Sequence, residues 1–295
     1  MIRYAISLAK LKAKITAQSA DWLDRAQART DAFRAAGKYN EQSSIWSEIK
    51  PVYMRLQGNS KCAYCERKLE SLDYGKGEQD VEHFRPKSSV KAWKAPKALK
   101  DVGIPFASLP AGDKGYYLLP YHPFNYSAAC KPCNSALKSN YFPIAGSYNL
   151  DKDDPTLLTG EQPYLLYPIG DLDDAPEKII TFHGLSPRPV AASGYPRNRA
   201  LVTIEFFKLD AVEKRKNLFR ERAIILMVLF PQLEKMHGAG SATEKAEAKA
   251  IVKGFTGPNA PHTNCARSFK RLFETDPAEA RAFYEAAVTF ITTIS

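Results

Sequence analysis

Four of the five cysteines form two pairs with the same spacing, Cys62 and Cys65 in "CAYC" and Cys130 and Cys133 in "CKPC". A C-x2-C turn directs two thiolates at one ion, and two such turns complete a tetrahedral Zn2+ site. The 64 residues between Cys65 and Cys130 exceed the usual gap, so a large insertion must separate the two turns. The four cysteines are predicted to bind structural zinc, and Cys265 in "HTNCARSF" is predicted to be an inert thiol.

A second candidate for chemistry lies inside the insertion, in "DVEHFRPK". Glu82 and His83 are adjacent, and neighbouring side chains of a strand point to opposite faces. The two can therefore cooperate only through a third group. Between His83 and Lys100 the chain carries basic residues and no acidic one.

The charge distribution points to a polyanionic partner of the first half of the chain. Residues 1–150 hold 23 Lys and Arg against 13 Asp and Glu, whereas residues 151–295 hold 19 of each. An excess confined to one half is typical of nucleic-acid binding, although a solvated lysine-rich loop would give the same count.

The motifs around the cysteines resemble those of the HNH, or ββα-metal, nucleases. The resemblance lies in "VEHFRPK", "YYLLPYHPFNYSAAC" and "CNSALKSNYFP". In that family an acidic–His pair ends a strand, an Asn follows in a loop, and a His or Asn opens the metal-binding helix. Glu82 and His83 match the pair, Asn125 matches the middle Asn, and Asn134 matches the third position, which gives an H-N-N pattern.

The resemblance implies a catalytic role for each of these residues. His83 is the expected general base, because imidazole titrates near the working pH. Asn125 would fix the orientation of the His83 ring through the ring nitrogen or the backbone. Glu82 and Asn134 would bind a catalytic Mg2+ or Mn2+, which prefers oxygen ligands.

Three basic residues are predicted to contact the phosphates of the nucleic acid: Arg85, Lys87 and Lys138.

Longer segments, from about residue 45 to residue 223, resemble the PtuB-like HNH nucleases of Septu and retron anti-phage systems. That likeness implies an ABC-type or AAA-like ATPase partner. The expected activity is endonucleolytic cleavage of nucleic acid, with DNA favoured.

Two other functions remain open. A zinc-knuckle nucleic-acid-binding or scaffolding subunit without catalysis would explain the cysteines and the basic half equally well. A nuclease acting on RNA, tRNA included, would use the same metal site.

The bulk composition is that of an ordinary globular protein, with 44% hydrophobic and 25% charged residues. The longest apolar run, "AIILMVLF" at 223–230, is too short to span a bilayer. The N-terminal segment lacks the pattern of a signal peptide. We therefore expect a cytoplasmic protein without a membrane segment.

The elements that must position these residues suggest an α+β fold, in which a zinc-clamped ββα-metal (HNH) core is embedded in a mostly helical body. We predict a helical region at 1–57, the nuclease core with its basic insertion at 58–145, and a strand-and-helix region that becomes helical at 146–295.

Within these regions, helices are predicted at 5–35, 43–57 and 134–140, and short strands at 164–168 and 178–183. Residues 88–115 should be irregular because they contain three prolines. A helix at 209–230 should begin with a capping box of Asp210 and Glu213, and Pro231 should disturb its end. Further helices should begin at Ser241, with another capping box, and at Asp276, before Pro277.

Overall fold

The computed structural model describes residues 1–73, 75–112 and 114–293. In these ranges the α-helices are α1 (Leu8–Gln18), α2 (Trp22–Ala36), α3 (Lys50–Leu56), α4 (Lys97–Asp101), α5 (Pro176–Ile179), α6 (Gly194–Phe206), α7 (Lys216–His237), α8 (Ala242–Thr256), α9 (Thr263–Thr275) and α10 (Pro277–Thr293). The strands are β1 (Gln79–His83), β2 (Tyr126–Cys130), β3 (Ile180–His183) and β4 (Ser186–Pro189). The fold is therefore mainly helical, with two small antiparallel sheets.

Strands β1 and β2 form the sheet that carries the candidate site. Their register pairs Gln79 with Cys130 and His83 with Tyr126. Directly after β2, the chain forms a π-helix, Pro132–Lys138. A segment near the start of the long insertion is thus paired with the strand at its end, and the π-helix contains Cys133 of the second cysteine pair.

The C-terminal third packs its helices around α7, which contacts α8, α9 and α10. The buried residues of α7 recur at intervals of three or four, as in Leu218, Arg222, Leu226 and Leu229. This spacing places them on one face of a helix. The β3–β4 hairpin packs against α6 and α9.

One hydrophobic core cluster runs through the molecule and includes residues from Met1 to Ala287. It includes all four paired cysteines. A smaller cluster joins Leu99 and Ile104 of the lysine-rich loop to Tyr164 and to Val202 of α6. None of the helices in the described ranges is both long and apolar enough to cross a membrane.

Several helix signals in the sequence are confirmed. Helix α2 ends at Ala36, one residue beyond the predicted bound, and Gly37 follows it in a left-handed conformation with φ of 64°. Ser241 and Glu244 form the predicted capping box of α8. The Asp276 carboxylate accepts a hydrogen bond from the backbone N–H of Glu279 at 2.9 Å, so Asp276 caps α10 as expected.

Other predicted bounds need correction. The helix predicted at 5–35 is broken between Gln18 and Trp22. The helix predicted at 43–57 begins as a 3-10 turn, Trp46–Ile49, and continues as α3. The described residues of 88–115 are irregular as predicted, apart from the short helix α4.

The capping box predicted for Asp210 and Glu213 is absent, because α7 begins only at Lys216. Asp210 instead forms an ion pair with Arg188 at 2.7 Å. The helix also continues past Pro231 to His237. An internal proline removes one backbone hydrogen bond and its ring clashes with the carbonyl of residue i−4, so the packing of the buried neighbours Phe230 and Leu233 must offset this cost.

No strand forms at 164–168 within the described residues. The carbonyl oxygens of this segment accept hydrogen bonds from side chains of α6: Thr203 donates to Tyr164 O at 3.0 Å, and Arg199 donates to Leu165 O at 3.2 Å. Those bonds satisfy the backbone where a neighbouring strand would otherwise do so. Residues 178–183 form the end of α5 followed by β3.

Candidate metal and catalytic centre

The four paired cysteines come together as predicted. Their Sγ atoms all lie within 4.8 Å of one another, and all four residues are buried. Cys65 Sγ lies 3.8 Å from Cys130 Sγ, which is about the edge length of a tetrahedron with Zn–S bonds of ~2.3 Å. The cluster can therefore hold a structural metal such as zinc. Among the described residues, it is the one place where three or more His, Cys, Asp or Glu side chains could bind one ion.

The first cysteine pair is tied to β2 by hydrogen bonds. Ala63 N donates to Ala128 O at 2.9 Å. The Gln57 amide donates to Lys61 O and Ala128 O, both at 2.9 Å, and accepts from Ala128 N at 2.6 Å. These bonds hold the two halves of the cluster in place across the insertion.

Arg215 is the residue outside the cluster that most directly affects its charge. Its Nη2 lies 3.6 Å from Cys133 Sγ, and its Nη1 donates to Phe207 O at 3.0 Å. A nearby cation stabilises thiolates, so Arg215 favours a metal-bound cluster of four negative ligands. Arg215 directly precedes α7 and thereby links the cluster to the helical body.

His83 ends β1 in an aromatic surrounding. The residue is buried, its ring meets the Trp46 ring edge to face at 4.8 Å, and the Tyr126 ring lies 5.0 Å away. The ring Nε2 lies 3.1 Å from Pro120 O. A carbonyl oxygen only accepts, so Nε2 carries the proton and Nδ1 has the free lone pair in the neutral ring. Burial, followed by the nearby Lys87 charge, lowers the pKa of His83 well below 6.5.

Glu82 is buried on the other face of β1. Burial raises its pKa to about 7, although the nearby Lys138 charge acts to lower it. Lys138 Nζ lies 3.3 Å from Glu82 Oε1, but without the angles of a hydrogen bond. The Lys138 ammonium is thus the main partner of the buried Oε1.

Asn125 fixes the loop that follows β1. Its Oδ1 accepts from Arg85 N at 2.8 Å, and its Nδ2 donates to Arg85 O at 3.1 Å and to Leu119 O at 3.0 Å. Asn125 thus contacts the backbone rather than the His83 ring. Leu119 precedes Pro120, whose carbonyl meets His83, so Asn125 supports the ring indirectly.

Asn134 lies in the π-helix, on the same side of β1 as Asp80. Its Nδ2 donates to Asp80 Oδ2 at 3.0 Å, and Lys131 forms an ion pair with the same oxygen at 2.8 Å. The residue that the π-helix brings to Glu82 is Lys138. Among the described contacts, Glu82 and Asn134 make no hydrogen bond or ion pair with each other.

The three predicted phosphate contacts lie in different surroundings. Arg85 is buried in an ion pair with Glu161 at 2.9 Å, and Lys138 is fully buried beside Glu82. Lys87 is half-buried, with Nζ 4.5 Å from the centre of the Trp46 ring. Lys87 is therefore the one of these three cations that reaches the surface beside His83.

No sequence pattern indicates Glu161 or Arg215, because each lies more than 70 residues from its partner at the site. Trp46 contacts His83 from a separate 3-10 turn, which spacing does not indicate. The sequence does indicate Asp80, because it lies two residues before Glu82 and residues two apart on a strand share a face.

The remaining histidines have ordinary structural roles. His183 Nε2 pairs with Glu279 at 3.0 Å, and His262 Nε2 pairs with Glu221 at 2.7 Å. His122 Nδ1 accepts from Phe124 N at 3.1 Å and caps a short turn.

Cys265, the fifth cysteine, lies outside the cluster. Burial raises the pKa of its thiol to about 12, which agrees with the inert role predicted for it.

Comparisons of the chain with protein-family models, with curated proteins and with solved structures find no match.

Proposed function

We propose that the chain is a divalent-metal-dependent endonuclease of the HNH type, which hydrolyses phosphodiester bonds of nucleic acid, with DNA as the favoured substrate. The observation that carries this proposal is the geometry of His83. The residue ends β1, its Nε2 donates to Pro120 O at 3.1 Å, and its Nδ1 makes no hydrogen bond with the described residues.

In this proposal His83 acts as the general base. Its Nδ1 takes the proton from the attacking water, and the bond from Nε2 to Pro120 O stabilises the imidazolium that forms. Asn125 donates to Leu119 O and thereby holds in place the loop that carries Pro120 O. The packing of Trp46 and Tyr126 against the ring restricts its rotation.

Glu82 and Asn134 would hold the catalytic Mg2+ or Mn2+. The fit rests on the buried Glu82 carboxylate, whose Oε1 has only the Lys138 ammonium as a partner at 3.3 Å, and on Asn134 Oδ1, which makes no hydrogen bond among the described contacts while Nδ2 donates to Asp80. Oxygen ligands of this kind suit Mg2+ and Mn2+. When bound, the ion would stabilise the developing negative charge on the phosphate.

Lys87 would contact the phosphate next to the scissile bond. It is half-buried over the face of Trp46, 4.5 Å from the ring centre, and lies four residues beyond His83. Arg85 and Lys138 would support the charge of the site from within ion pairs rather than by direct contact.

The proposal includes a biological setting, which rests on the resemblance of residues 45–223 to anti-phage nucleases. The chain would be the cytoplasmic nuclease subunit of a prokaryotic defence system. An ABC-type or AAA-like ATPase would be its partner and would control when the nuclease acts.

The test is incubation of the purified protein with DNA and with RNA, in Mg2+, Mn2+ or EDTA, alone and with the ATPase encoded beside it. We expect cleavage in Mg2+ or Mn2+ that EDTA abolishes. Cleavage of RNA but not DNA would favour the RNA-directed alternative. Failure to cleave either nucleic acid under every condition would contradict the proposal.

One observation favours a second candidate, a non-catalytic zinc-knuckle subunit that binds nucleic acid. Lys138 Nζ lies beside Glu82, and Asn134 bonds to Asp80 rather than to Glu82. Such a protein would bind nucleic acid without cleaving it, and EDTA at concentrations that leave zinc in place would not change binding.

A further inference from the structure

A cavity of about 540 Å3 lies between the loop that follows β1, the segment at 155–163 and the first turn of α6. Phe84, Arg85, Thr159, Tyr195 and Arg199 are among the residues that line it. The volume is in the range of small-molecule sites in proteins. The site proposed above for nuclease activity does not use this cavity.

Arg85 provides the clearest sign of a ligand. The residue is only 6% exposed, and its Nε donates to Glu161 Oε2 at 2.9 Å. A guanidinium has five N–H donors, and the four on Nη1 and Nη2 have no acceptor among the described residues. The guanidinium also lies 5.4 Å from the centre of the Phe142 ring, which leaves its hydrogen-bonding capacity unused. Because Arg85 lines the cavity, an acceptor bound there can pair with these donors.

The Glu161 carboxylate, which pairs with Arg85 Nε, has little capacity to accept further hydrogen bonds from Arg85 Nη1 and Nη2. Glu161 already accepts hydrogen bonds from Tyr116 Oη at 2.6 Å, from Asn149 N at 3.2 Å and from Arg85 Nε. Its charge balances one arginine while its lone pairs are mostly occupied. The surplus at this end of the cavity is therefore in donors.

Arg199, another guanidinium of the wall, has fewer unpaired donors, because its Nη2 also donates to Leu165 O at 3.2 Å. Arg199 donates to Asp173 Oδ2 at 2.6 Å and to Asp174 Oδ2 at 3.3 Å, but its Nε is buried without a partner. Asp173 also accepts from Tyr167 N and Asp174 N, so its oxygens are occupied.

We propose that this cavity binds a small phosphate ester, such as a nucleotide or a sugar phosphate. The terminal nitrogens of Arg85 would bind the phosphate oxygens, because guanidinium and phosphate match in charge and in paired geometry. A carboxylate offers two oxygens, whereas the four unpaired donors of Arg85 suit the three free oxygens of a phosphate ester.

The remainder of the cavity would hold the sugar or nucleoside that is esterified to the phosphate. Bare phosphate would fill only a small part of the volume. The rings of Tyr195 and Phe84 offer an apolar wall for a sugar or a base. The hydroxyl of Thr159 makes no hydrogen bond among the described contacts. Binding at this site does not depend on cleavage at His83, so either proposal can fail while the other holds.

The test is calorimetric titration of the full chain, without divalent metal, with AMP and ribose 5-phosphate and, for comparison, with adenosine and ribose. We expect the phosphorylated compounds to bind and the others not to bind. Arg85→Lys should weaken binding at least about tenfold, because the paired donor geometry is lost.

A second variant guards against misfolding of the buried Arg85 site. Thr159→Glu adds a negative charge at an exposed position of the cavity wall and should also weaken binding at least about tenfold, since like charges repel. Thr243→Glu makes the same change on exposed α8 and should bind like the wild type. Equal binding by the two glutamate variants, or no binding of either phosphorylated compound at about 1 mM, would overturn the proposal.

Competition identifies the natural source of the phosphate. A short single-stranded oligonucleotide that displaces AMP would show that the cavity receives a nucleotide of a nucleic-acid strand. If the oligonucleotide does not compete, the ligand is a free small molecule. Both results uphold a phosphate-ester site.

Discussion

At the scale of single residues, Glu82 shows how the fold changes the chemistry that the sequence suggests. The motif indicates a charged metal ligand, but burial raises the pKa of the carboxyl to about 7. The nearby ammonium of Lys138, 3.3 Å away, prevents a larger rise. The side chain is thus balanced between its two protonation states near neutral pH.

This balance predicts a pH dependence of stability. The unfolded carboxyl has a pKa near 4.5, whereas the folded one has a pKa of about 7, so the folded protein retains a proton that the unfolded chain has lost. The stability from that proton is present in full below pH 4.5 and is lost as the pH rises to about 7. Across this window we expect the free energy of unfolding of the wild type to fall by about 3 kcal/mol relative to Glu82→Gln.

Urea unfolding of both proteins at several pH values, without added divalent metal, measures this difference. Parallel curves for the wild type and Glu82→Gln would contradict the assignment of a raised pKa.

Asn125 shows what a single sequence can and cannot predict at this scale. Its importance follows from the motif, but its partners are the backbone of Arg85 and Leu119. Those partners are set by the path of the loop between the strands. No spacing rule gives that path, because the loop is long and irregular.

At the scale of elements, local capping signals were correct at two helix starts and wrong at Asp210, whose carboxylate pairs with Arg188 instead. The capping box at Ser241 and the cap at Asp276 needed only neighbouring residues. The strand expected at 164–168 depends on a distant partner, and α6 side chains take the hydrogen bonds instead. Helices α6 and α9 had no such strong local signal and were not predicted.

The cysteine cluster joins the turn after α3 to β2 and to the π-helix, so its metal should be part of the folding free energy. We expect one zinc for each chain and expect Cys133→Ala to lose most of that zinc and to unfold at lower urea concentration. Cys265→Ala is the matched control, because it removes a buried thiol outside the cluster. Metal analysis and urea unfolding of the three proteins provide the measurement.

Two results would contradict a structural zinc site. One is well-folded wild-type protein without zinc. The other is equal loss of zinc in both variants.

At the scale of the whole molecule, the basic excess lies in residues 1–150. Part of it lies in the loop at 91–104, whose Leu99 and Ile104 belong to the smaller core cluster. Four exposed lysines of this loop are available to a polyanion: Lys91, Lys94, Lys97 and Lys100. The C-terminal half is balanced in charge. One face of the molecule is therefore expected to bind nucleic acid.

Replacing the four loop lysines by Gln should weaken nucleic-acid binding and reduce its salt dependence. Each lysine that contacts a duplex phosphate adds about 0.9 to the slope of log affinity against log salt. Binding titrations at several salt concentrations measure the slope. The matched control changes four lysines of the C-terminal helices to Gln: Lys235, Lys245, Lys249 and Lys253. An equal loss in both variants would show that net charge, rather than the loop, determines binding.

The central claim is that His83 is the base of a metal-dependent nuclease, and cleavage by His83→Ala tests it most directly. With Mg2+ or Mn2+ present, we expect the variant to lose at least about 100-fold in rate, as for removal of a general base, while it keeps its zinc and binds nucleic acid as before. His237→Ala, a change at an exposed histidine far from β1 in the sequence, should cleave like the wild type. Cleavage by His83→Ala at a rate near that of the wild type would contradict the account.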